Sequence, residues 1–222
     1  MLDGMTPVKV STRYIEKYLN AAEVVSGTAN KIQSFAYKIA GHTFYIMNLV
    51  SQDLTFVYDF DEQSWYQWTS YYSSAEHKYA IFTATEFNNF TVGIHPTSGA
   101  LYKIDAAYAD DNGVAIYWRV ITSNIDAGSY HRKFFRRGEV VGDKVAATMS
   151  IRHSGNDYVT WSAWRTVSLN AARSVLFQMG QDRRRAYEFL VTDNVALRLS
   201  DFEMDVTGGE QERDPELATS GG

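Results

Sequence analysis

The sequence has no cysteine, only 3 prolines, and no excess of basic charge. Each shortage excludes something. Without cysteine there is no disulfide framework, no thiolate metal site and no thiol nucleophile; this does not fix the compartment, since oxidising and reducing environments both tolerate its absence. With 21 basic against 26 acidic residues the net charge is −5, whereas a general nucleic-acid binder is usually basic, because phosphate neutralisation supplies most of its affinity. No apolar run reaches the length of about 18 residues expected of a membrane helix. The first ten residues, MLDGMTPVKV, lack the basic segment and apolar core of a secretory signal. There is no GxSxG, GxGxxG, P-loop or HExxH.

What the chain does have is aromatic residues: 15 Tyr, 12 Phe and 5 Trp in 222 positions, types that favour strands and large contact surfaces. They concentrate first in Gly41–Trp68. Thr43, Tyr45, Met47 and Leu49 alternate with Phe44, Ile46 and Asn48, and Leu54, Phe56 and Tyr58 alternate with Thr55, Val57 and Asp59. An acidic turn then leads into Trp65-Tyr-Gln-Trp68. This period-two pattern predicts a meander of antiparallel strands, the layout of a propeller blade. A strand over Lys31–Ile39 precedes it, with Phe35, Tyr37 and Ile39 on one face. A second meander is expected over Lys78–Ala84, Phe90–Ile94 and Ala100–Ile104, a degenerate repeat of blade length. Upstream, Leu2-Asp-Gly-Met reads as a turn and Pro7-Val-Lys-Val as extended. Ser11 or Thr12 can cap a short helix over Arg13–Asn20, with Ile15 and Leu19 on one face; residues 21–30 read as loop.

The pattern changes near Asn112-Gly113, a strong hairpin signal. Seven strands are predicted beyond it, over Val114–Thr122, Tyr130–Gly138, Lys144–His153, Thr160–Leu169, Ser174–Met179, Arg184–Thr192 and Ala196–Val206, which suggests a β-sandwich. The expectation is therefore an all-β chain with one short N-terminal helix: a partial propeller over 1–108, a sandwich over 109–206, and a disordered polar tail over 207–222.

Each group of chemistry-bearing residues also has a plainer role. Asp59, Asp61 and Glu62 would suit Ca²⁺ or a carboxylate pair, but the spacing lacks the further ligands and glycine of an EF-hand, and a turn explains them. Asp110, Asp111 and Asn112 are explained by their hairpin. His42, His77, His95, His131 and His153 show no zinc-ligand spacing, and none is assigned catalysis. Ser154-Gly-Asn-Asp-Tyr-Val-Thr160-Trp161 resembles the Asp-box hairpin of sialidase-type propellers, with Asn156 in place of its Asp and Tyr158 in place of its Gly; it reads as structural, with Trp161 and Trp164 as core or interface aromatics. Two basic clusters, Arg132-Lys133-Phe-Phe-Arg136-Arg137 and Arg183-Arg184-Arg185, would suit single-stranded nucleic acid, but the charge balance favours contact with a neighbouring subunit. Arg132, Arg136, Arg137, Arg183, Arg185 and Trp164 are the candidate interface residues. By alternation Arg183 and Arg185 share a face with Tyr187 and Phe189.

An ordered set of segments carries a resemblance: Thr6–Lys17 as a strand and helix entry, Gly41-His-Thr-Phe-Tyr-Ile-Met, Val57-Tyr-Asp-Phe-Asp-Glu-Gln-Ser-Trp65 with Trp68, Gly99-Ala-Leu-Tyr-Lys-Ile-Asp105, then Trp161–Leu169, Arg173–Gly180 and Arg183–Val191. Over about residues 1–206 the chain resembles the C-terminal half of the packaged-DNA stabilisation, or tail hub (nozzle), proteins of short-tailed bacteriophages. The resemblance implies a virion structural protein, made in the host cytoplasm and not an enzyme, that forms a hexameric ring below the portal and its adaptor. The ring extends the channel, helps retain packaged DNA and carries a needle or fibres; DNA passes without sequence-specific binding, and neither catalytic residues nor cofactors come with the family. Its members have further N-terminal blades, so the chain is expected to be a fragment or a shortened relative whose sheet edges need a partner. A sialidase-like or other carbohydrate-acting propeller is the alternative.

Overall fold

A computed structural model describes residues 2–3, 6–21 and 32–208. The expected loop over 21–30 falls outside them from residue 22 on, and the expected tail from residue 209 on. The described residues are mostly β-strand, with one α-helix and a short 3-10 turn at Val50–Gln52, and the chain divides into two compact units, Met1–Val114 and Ala115–Gly222.

In the first unit, β1 (Leu2–Asp3) pairs with β2 (Thr6–Pro7). Helix α1 (Arg13–Leu19) follows, with Asn20 as its C-cap, and the Ile15 N–H donates to the Thr12 hydroxyl at its N-terminus. Four strands then run as a consecutive antiparallel meander: β3 (Ile32–Ile39), β4 (His42–Leu49), β5 (Leu54–Asp59) and β6 (Ser64–Gln67). Alternation gives β5 two different faces, and both are covered. Phe56 packs with Ile15, Met47 and Leu49 against α1, while Val57 packs with Phe35, Tyr37, Ile46 and Ile81 on the other side.

A hairpin of β7 (Thr69–Tyr72) and β8 (Ala75–Lys78) comes next, then a three-stranded sheet of β9 (Thr83–Phe87), β10 (Phe90–Ile94) and β11 (Leu101–Ile104). The strand expected over Lys78–Ala84 does not form. β8 ends at Lys78, and Ile81 instead leaves the sheets to plug the core, 4% exposed, while its carbonyl accepts from the buried Asn48 side chain at 2.9 Å. β9 lies further on because Asn88 and Asn89 both adopt positive φ and close a tight hairpin onto β10. Asn112 and Gly113 do the same between β12 (Asp110–Asp111) and β13 (Val114–Ala115), which straddle the division between the units.

The second unit contains β14 (Trp118–Ile121), β15 (Lys133–Gly142), β16 (Thr148–Ser154), β17 (Arg165–Ser168), β18 (Ser174–Phe177), β19 (Gln181–Asp182), β20 (Ala186–Val191) and β21 (Leu199–Gly208). One sheet has the order β14-β20-β16-β17; in the other, β15 pairs with β18 and β19 along one edge and with β21 along the other. Met149, Ile151, Tyr187, Phe189 and Val191 of the first sheet share one core with Phe135, Val140, Leu176, Phe202 and Met204 of the second. β21 takes in Thr207 and Gly208, the first two residues of the expected tail, because they complete the pairing with Phe134 and Lys133. None of the described sheets closes on itself.

Candidate functional site

The two basic clusters lie side by side through the Lys133↔Asp182 pairing, and each is divided between surface and interior. Arg132, Arg136 and Arg183 are exposed. Arg137 pairs with Glu139, which also accepts from Arg173 Nε at 3.1 Å. Arg185 departs from its expected place at an interface: it is 0% exposed. Asp182 accepts from its Nε at 2.8 Å and from its Nη2, the Met179 carbonyl accepts from Nη1 at 2.7 Å, and the guanidinium lies 4.0 Å from the Phe135 ring centre. Its face is the one shared by Tyr187 and Phe189, but the bend at Arg183 and Arg184 breaks the alternation and puts Arg183 in solvent. Lys133 is also interior, with its Nζ donating to the carbonyls of Ser129, His131 and Arg183.

The acidic turn after β5 brings together His42, Asp59 and Asp61, whose potential ligand atoms lie within 4.8 Å of one another. Their oxygens are committed to the turn. Asp59 Oδ1 accepts from the Asp61 N–H at 2.8 Å and the Glu62 N–H at 3.3 Å, Asp59 Oδ2 meets His42 Nδ1 at 2.7 Å, and Asp61 Oδ2 accepts from the Thr43 N–H at 2.7 Å. The cluster therefore works as a lock between β4 and the β5–β6 turn. The hydrogen bond to Asp59 raises the His42 pKa. Burial pushes Asp59 up, but the hydrogen bonds it accepts from Asp61, His42 and Glu62 outweigh that and hold it below the ordinary carboxylate range. His77 repeats the arrangement with Asp53 at 2.7 Å, and His95 Nδ1 accepts from the N–H groups of Thr97 and Ser98 in its turn.

The residues that sequence reasoning missed are Arg119, Arg152 and Glu188. Glu188 sits in the middle of β20, 1% exposed, on the face of its sheet opposite the core. Its Oε1 accepts from Arg119 Nε on β14 at 2.6 Å, and its Oε2 accepts from Arg152 Nε on β16 at 2.5 Å. Arg152 is flanked by the rings of Trp161 at 5.0 Å and Trp164 at 4.3 Å. Both tryptophans belong to the segment after β16, whose Asp-box-like turn is built as its sequence suggests: Ser154 Oγ accepts from the Tyr158 N–H at 3.0 Å and Asn156 Oδ1 from the Thr160 N–H at 2.9 Å. Trp164 is half-exposed, and Tyr158 extends the aromatic surface beside Trp161. The available signal was a lone glutamate inside the apolar run Tyr-Glu-Phe-Leu-Val, which needs cationic cover wherever that strand is buried.

Compared with known proteins, the chain matches no protein-family model, and no curated protein matches it.

Proposed function

We propose that the chain is a structural subunit of a ring in the tail of a short-tailed bacteriophage, part of the hub or nozzle that extends the portal channel, retains packaged DNA and passes it during ejection. In this reading the β3–β6 meander and the β9–β11 sheet are blades of a partial propeller, and the two sheets of the second unit form a β-sandwich. The observation that carries the reading is the large apolar surface left on strand faces of unclosed sheets. Phe87 is 70% exposed and Leu101 68% in the first unit, and Phe177 is 60% exposed in the second. A monomer has little use for such side chains, whereas a ring subunit needs lateral contacts rich in aromatic residues and arginine. Arg132, Arg136, Arg183 and Trp164 remain available for such contacts. The acidic balance suits a conduit through which DNA slides rather than a surface that grips it.

Light scattering of the full chain, alone and with a portal–adaptor complex, tests this. A ring-sized species that is lost in the Phe87→Asp, Leu101→Asp double variant is expected. A monomer that never assembles on the portal complex counts against the proposal.

A further inference from the structure

The structure assigns a second role to the solvent-facing side of the β14-β20-β16-β17 sheet: we propose that Arg119, Arg152, Trp161 and Trp164 form a binding site for a carboxylate-bearing saccharide. Removing the Glu188 carboxylate from water is costly, and an apolar residue at this position would serve stability about as well as an ion triad. What the triad supplies is orientation. Each guanidinium is tied to Glu188 through its Nε edge, and no described residue accepts from the Nη groups of either arginine. The triad keeps a net positive charge of one, because two arginines share one carboxylate. Two planar forks thus converge on one carboxylate from strands about two spacings, roughly 10 Å, apart, each presenting an Nη edge of the geometry that takes a carboxylate bidentately.

The tryptophans add the second half of a recognition surface. Arg152 lies over both rings and Trp164 remains 40% exposed, so part of an indole lies open beside a fixed cation. A pyranose with an exocyclic carboxylate offers an apolar C–H face and a planar anion within one rigid residue, and this surface presents the complement of both. Nucleic acid fits less well, since only one net charge is offered where phosphate binding needs several. An acidic peptide could meet the guanidinium forks but has no rigid face to set against the indole.

The test uses the full chain and the intrinsic fluorescence of its tryptophans, with trigalacturonate as the probe and its fully methyl-esterified form as the neutral control. Saturable quenching by trigalacturonate is expected, at least tenfold weaker for the ester, at least tenfold weaker in Trp164→Ala by calorimetry, and weakened in Arg119→Lys, which keeps the charge but loses the fork. Thermal midpoints of both variants show that they remain folded. Absence of binding, equal binding of the ester, or equal binding of an oligoglutamate of the same charge would overturn the proposal. The same titration in the Phe87→Asp, Leu101→Asp variant, which is not expected to assemble, separates saccharide binding from ring formation: equal quenching there is expected, and its loss would overturn the proposal.

Discussion

At the scale of single residues, the charged side chains in this chain are mostly committed to local architecture. Arg185 illustrates what the sequence could reveal and what it could not. Alternation placed it with Tyr187 and Phe189, and that is where it lies. Its burial depends on Asp182, contributed by the two-residue strand β19, and on the Met179 carbonyl, and nothing in the sequence marks those partners. Asp182→Ala leaves the guanidinium buried without its counter-ion and is expected to cost about 3–5 kcal/mol, read by urea unfolding. The His42–Asp59 pair makes a pH-dependent contribution with a defined window. A raised His42 pKa means stability that is complete below the ordinary histidine value and lost as pH rises through the folded value; a lowered Asp59 pKa means stability complete above the ordinary carboxylate value and lost as pH falls through the folded one. The contribution should therefore be greatest between about pH 4 and pH 6.5. The difference in thermal midpoint between the wild-type chain and His42→Gln should peak in that window and shrink on either side; a flat difference from pH 3 to 9 would contradict the assigned pairing.

At the scale of elements, six of the seven strands expected after Asn112-Gly113 exist with shifted ends, because residues of each pack into one shared core; the first, over Val114–Thr122, divides into β13 and β14, which join different sheets, and β19 was not expected. The first unit was less legible. β5 shows period-two alternation although both of its faces are covered, so the pattern gave no sign that α1 packs on one side. Residues 79–82 look like a strand in composition, but Tyr79 and Ile81 are needed as plugs, and the turn at Asn88-Asn89, where asparagine tolerates positive φ, sets the start of β10. The basic strand β15 depends on a close approach that its sequence only hints at. A Cβ on Gly138 would stand 2.5 Å from the Phe202 ring and 2.9 Å from the Met179 sulfur. Gly138→Ala should therefore force these core side chains apart, at a cost of about 1–3 kcal/mol, measurable by denaturant unfolding. A neutral result would mean that β15 and β21 pack more loosely than the geometry requires.

At the scale of the whole molecule, each unit has its own core, the first around Ile46 and Val57 and the second around Met149, Tyr187 and Val191. Ile46→Ala is expected to lower hydrogen-exchange protection in β3–β6 by about 2–4 kcal/mol while β16 and β20 keep theirs; an equal loss across both units would mean that they unfold as one. In the first unit, buried Asn48 donates to the Ile81 carbonyl, Thr55 donates to Asn48 Oδ1, and the Tyr79 N–H donates to Thr55 Oγ1. A change at one of these side chains strands the other in a dry environment. Over evolutionary time positions 48 and 55 should therefore drift as a pair, so that distant descendants of this chain could be recognised by their covariation after the aromatic pattern itself has faded.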